Sequence, residues 1–76
     1  MKAFLFWYKM DATSTTEYIY IIAFSYKQAC FYWWQYVRNT LGHVYDYDID
    51  PCDIINYERF LKKHKAGEIL GANAII

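Results

Sequence analysis

The stretch Glu17-Tyr18-Ile19-Tyr20-Ile21-Ile22-Ala23-Phe24-Ser25, running straight into Tyr26-Lys27-Gln28-Ala29-Cys30, decides the fold. Up to Ser25 it is dominated by β-branched and aromatic residues. Alternation along a strand places Tyr18, Tyr20, Ile22 and Phe24 on one face and Ile19, Ile21 and Ala23 on the other. Both faces are apolar. Beyond Ser25 the pattern becomes helical: the Ser25 hydroxyl suits an N-cap, and Gly42 supplies a left-handed stop, so a helix is predicted over Tyr26–Leu41. Its core-facing stripe is Tyr26, Cys30, Trp33, Val37 and Leu41, flanked by Ala29, Trp34 and Tyr36. Lys27, Gln28, Gln35, Arg38 and Asn39 face away, together with Phe31 and Tyr32, whose rings have no evident home within the chain.

On the N-terminal side, Ala3–Lys9 reads as a first strand, with Phe4, Phe6 and Tyr8 on one face and Leu5 and Trp7 on the other. The polar run Asp11–Thr16 is the loop that joins it to the second strand. On the C-terminal side, His43–Ile49 alternates strictly, which turns Tyr45, Tyr47 and Ile49 inward and Asp46 and Asp48 outward in a third strand. Asp50-Pro51-Cys52-Asp53 then reads as a helix start, with Asp50 as cap and Pro51 in the first helical position. This second helix is expected to run to about Lys65 or Ala66, with an apolar stripe of Ile54, Tyr57, Leu61 and His64, and to end at Gly67. The rest of the chain to Ile76 suits either a short edge strand or a frayed terminus.

The expected fold is α+β: one domain over residues 1–76, a small mixed β-sheet with two helices on one face, in the order ββαβα with room for a C-terminal strand. If the second and third strands are parallel, the helix between them makes a right-handed crossover. Two helices on one side leave the other side of the sheet uncovered.

In a chain of 76 residues, a single core usually supplies only about 3–5 kcal/mol unless disulfides, metals or dense apolar packing reinforce it. Here 57% of residues are hydrophobic and 22% aromatic, so apolar packing is the reinforcement. Eight acidic and eight basic residues cancel, which removes any global attraction to nucleic acid. Cys30 and Cys52 form no C-x-x-C pair and fit reduced thiols in a cytoplasmic protein. Lys9 and Asp11 interrupt the apolar opening too early for a secretory signal, and no stretch has the length of a membrane span.

Little in the sequence points to chemistry. Asp46-x-Asp48-x-Asp50 resembles the opening of a calcium loop, but Pro51 stands where an EF-hand needs Gly and Tyr57 where it needs Glu. A solvated strand face leading into a helix cap is the simpler account. His43, His64, Cys30 and Cys52 lack zinc spacing, and hydrolase, phosphate-loop and dinucleotide motifs are absent. No catalytic residue, metal or cofactor is expected. The aromatic surplus is the unusual feature, and exposed aromatic surface marks interfaces. The expectation is a protein-interaction module, a homo-oligomer or the binder of a protein partner, using an aromatic sheet face at Tyr18 and Tyr20 with Phe31 and Tyr32 as a second patch. The alternative is a nucleic-acid binder using Arg59, Lys62, Lys63 and Lys65 beside aromatic rings.

Overall fold

A computed structural model describes residues 1–55 and 61–71. The elements are β1 (Lys2–Lys9), β2 (Glu17–Ala23), α1 (Tyr26–Tyr36) continued by one π-helical turn (Val37–Leu41), β3 (Asp46–Ile55) and β4 (Ile69–Gly71). The strands form one sheet in the order β3-β1-β2-β4.

The first three elements follow the sequence pattern. In the loop after β1, one carboxylate oxygen of Asp11 accepts from both the amide and the hydroxyl of Thr13, each at 2.9 Å, which closes the turn. The hairpin then pairs Leu5 with Tyr20 and Phe6 with Ile19. Ser25 is extended and its hydroxyl accepts from the Gln28 amide at 3.1 Å, while Gln28 Oε1 accepts from the Phe24 amide at 2.7 Å. Two amides at the helix start are thereby satisfied reciprocally. At the far end, Gly42 has φ 81° and donates to the Val37 carbonyl at 2.7 Å. That backbone conformation excludes an L side chain and stops the helix where the sequence places the stop.

Beyond Gly42 the structure corrects the sequence reading. The chain makes no helix at Asp50-Pro51-Cys52-Asp53; β3 runs from Asp46 through Ile55, and the last turn before Gly67 is not helical at Lys62–Lys65. The pairing with β1 explains how proline is accommodated. Leu5 faces Asp50 while its neighbour Phe4 faces Ile54, so Pro51, Cys52 and Asp53 bulge out of register. Proline cannot donate to a ladder and is tolerated at bulges and on edge strands, and Pro51 is at both. The remainder of the expected second helix, residues 56–60, lies outside the described residues. The sheet is also not mixed: every neighbouring pair is antiparallel. With β1 between them, β2 and β3 run parallel to each other without touching, and α1 lies in the connection that joins them.

α1 packs on the sheet face made by Phe4, Phe6, Tyr8, Ile19, Ile21 and Ala23, contributing Ala29, Trp33 and Val37. Trp33 is fully buried and stacks on Phe6 with ring centroids 5.2 Å apart and 12° between planes. Tyr26, expected in this stripe, is exposed and lines an open cleft together with Phe6. The opposite face is not left bare either. Ala3, Leu5, Tyr20 and Ile22 are buried there together with Leu61, and β4 adds Leu70. The tail contributes a strand as well: the Ile22 amide donates to the Glu68 carbonyl at 3.0 Å, leading into pairing of Tyr20 with Leu70.

Ionisation of Tyr8, a core residue, opposes folding. Burial pushes the Tyr8 phenol up to about 12, with a hydrogen bond to Tyr36 adding to it. A group more easily ionised unfolded than folded stabilises the fold fully below about pH 10, and loses that contribution as pH rises towards 12. Urea titrations between pH 9 and 12 should show stability falling across this window, with Tyr8→Phe flattening the fall by on the order of 2–3 kcal/mol. Equal slopes in both proteins would place the alkaline transition elsewhere.

Candidate functional site

Among the described residues the exposed aromatic side chains separate into groups with different surroundings. On the sheet face away from α1, Tyr18 is 50% exposed and lines an open cleft of about 490 Å³ with Trp7, Tyr45 and Lys9. Tyr45, expected to point inward, precedes β3 and is exposed. Tyr20, expected to be available on the same face, is buried in the cluster with Leu5, Ile22 and Leu61.

The second group runs along one flank of α1 and onto β3. Tyr26 is 57% exposed, Phe31 58%, Trp34 49% and Tyr47 39%. Trp34 joins them. Its ring meets Tyr47 edge-on at 5.2 Å, it shares a cleft of about 330 Å³ with Phe31, Gln35 and Arg38, and it shares another of about 310 Å³ with Tyr26 and Tyr47. Helical geometry accounts for the row: Phe31, Trp34 and Arg38 are spaced by three and four residues and stand one above another. Tyr32, expected to share this exposure with Phe31, turns towards the core. Its ring closes on Gly67, where an added Cβ would come within 3.2 Å of it, and it packs against the helix-side cluster.

The Asp-x-Asp motif has a structural use. Asp46 Oδ1 accepts from the Tyr47 amide at 2.9 Å, and Asp48 Oδ1 accepts from the Ile49 amide at 2.8 Å. β3 is an edge strand, and an edge whose amides already have carboxylate partners offers little to an incoming strand. The bulge at Pro51 and the shortness of β4, three residues, blunt the two edges further. Among the described residues, no three His, Cys, Asp or Glu side chains are grouped to hold a metal ion.

Cys30 is a half-buried free thiol beside Tyr26, and the interaction with it raises the Tyr26 phenol above its ordinary pKa. His64 pairs with Glu68 at 3.3 Å, and the Lys65 amide holds the Glu68 carboxyl below its usual range. Lys62, Lys63 and Lys65 are exposed in the turn that follows Leu61, so they form no helical basic face, and Arg59 lies outside the described residues. No helix among the described residues is long and apolar enough to cross a membrane. No protein family, curated protein or solved structure matches the chain.

Edge capping by the two carboxylates has a direct test. Asp46→Ala combined with Asp48→Ala should raise concentration-dependent aggregation with a rise in β-sheet signal by infrared spectroscopy. Asp→Asn at the same positions, which keeps an amide acceptor, should leave the protein as dispersed as the parent. Aggregation equal in all three would remove the capping role.

Proposed function

We propose that this domain is a small protein-interaction module that self-associates through the aromatic flank centred on Trp34. The supporting observation is the contiguity of Tyr26, Phe31, Trp34 and Tyr47, four part-exposed rings linked by shared clefts and one ring contact. Tyr, Trp and Arg dominate the energetics of protein interfaces, and this surface holds all three types with Arg38 at its border. Aromatic side chains of roughly 150–250 Å² each, about half exposed, supply on the order of 400 Å². A standard interface takes about 800 Å² from each partner, so the rings form its centre and Lys27, Gln35 and Arg38 its rim.

Two further features favour a second copy of this chain as the partner. Formal net charge is zero, so copies meet without long-range repulsion. The capped edges of the sheet disfavour association by strand addition, which leaves face-to-face contact about a two-fold axis, where the same patch serves both partners.

Sedimentation equilibrium over a concentration series should give a dimer whose association changes little between low and high salt. Trp34→Ala should weaken it by about 2 kcal/mol or more, roughly thirtyfold, while the monomer keeps its circular dichroism spectrum. A wild-type chain that stays monomeric throughout the series would rule out self-association on this flank.

A further inference from the structure

Trp33 carries a polar group that the fold does not use. Its indole Nε1 is buried and has no hydrogen-bond partner, although the ring itself is held by Phe6, Tyr8, Trp34, Tyr36 and Tyr47. A buried donor left without an acceptor costs about 1–3 kcal/mol, and such groups in folded proteins usually have a reason. Phenylalanine at this place would carry no such donor, though it would bury less apolar surface.

The same residue lines the cleft of about 310 Å³ between α1 and β3, whose other rings are Phe6, Tyr26, Trp34 and Tyr47. That volume is at the small end of the range for ligand sites, which are typically apolar and aromatic with a few polar groups that fix orientation. The outer wall is made of Trp34 and Tyr47, both in ring contact with Trp33 and both part exposed. Because Nε1 is buried, a ligand reaches it only if Trp34 or Tyr47 changes rotamer, a motion that exposed side chains make within nanoseconds.

We infer that this cleft binds a small, flat heteroaromatic molecule of one or two rings, stacked among the aromatic side chains, with a ring nitrogen or carbonyl accepting from Trp33 Nε1. The aromatic lining sets the shape, since offset and edge-on ring contacts are what these side chains favour. The unsatisfied indole N–H sets the polarity. It offers nothing to a pure hydrocarbon, whereas an acceptor atom relieves it; Asp48 and Cys30 complete the polar part of the lining, and a cation held by Asp48 and the rings is the rival occupant. Both residues of the outer wall, Trp34 and Tyr47, belong to the flank proposed for self-association, so the inference concerns the monomer, and a dimer formed on that flank would cover the cleft.

Quinoline and naphthalene have nearly the same shape and differ in one acceptor nitrogen. Titrated into ¹⁵N-labelled protein at pH 8, quinoline should shift the Trp33 indole cross-peak, assigned with Trp→Phe variants, and should bind about tenfold more tightly than naphthalene. Trp33→Phe should bring the two affinities together. Equal affinities in the wild-type protein, a Trp33 peak that neither compound moves, or binding of tetramethylammonium in preference to both would overturn the assignment. The wild-type comparison decides the matter even where Trp33→Phe fails to fold. The titration is run at a protein concentration at which sedimentation finds the chain monomeric, so that failure here is separate from failure to dimerise.

Discussion

The stack of Trp33 on Phe6, 5.2 Å between centroids and nearly parallel, is the contact around which the domain is organised. Phe6 lies in the middle of β1, and β1 is the strand that pairs with both β2 and β3. Trp33 lies in the middle of α1 and also reaches Tyr8, Tyr36 and Tyr47. One pair of rings therefore ties the helix to the central strand, and through Tyr47 to the edge strand that follows the crossover. A chain this short has few such contacts to draw on, and large aromatic side chains bring the greatest apolar area per residue ordered. The composition follows from that constraint.

The same constraint explains what the sequence made legible. Strands β1 and β2 and the helix start could be read directly because their signals are local: alternation of side chains, a serine cap and a glycine stop. Where the signal was ambiguous, the long-range partner decided. Asp50-Pro51 is a good helix opening on its own terms, yet β1 still has an unpaired side, and a hydrogen-bonded ladder with a bulge at Pro51 satisfies more backbone than an isolated helix start. Local propensity yielded to the sheet. Nothing in residues 46–55 taken alone announces this, because the deciding residues are Ala3–Lys9.

The surface was legible in kind but not in place. An excess of aromatic residues over what a small core can hold implies exposed rings, and Phe31 and Tyr18 are among them. Tyr20 and Tyr32 are not, for reasons that depend on the end of the chain: Leu61 covers the region around Tyr20, and Gly67 brings the backbone against Tyr32. Conversely, Tyr26 and Trp34 occupy or border the core-facing stripe by helical phase and still reach solvent. Phase gives direction around the helix axis and says nothing about whether a strand lies beneath that turn.

These displacements share a cause that also bears on function. Trp33 fills the space under the middle of α1 so completely that the rings on its flank, Tyr26, Trp34 and Tyr47, are held up around it. A large indole therefore does two things at once: it supplies the core contact on which the sheet and helix depend, and it props open a ring of aromatic surface with its own N–H unanswered beneath it. For stability the unanswered N–H is a liability, set against the larger apolar area that an indole buries than a phenyl ring. Its presence is most simply understood when core and surface are one arrangement, in which the interior determines what the exterior is able to hold.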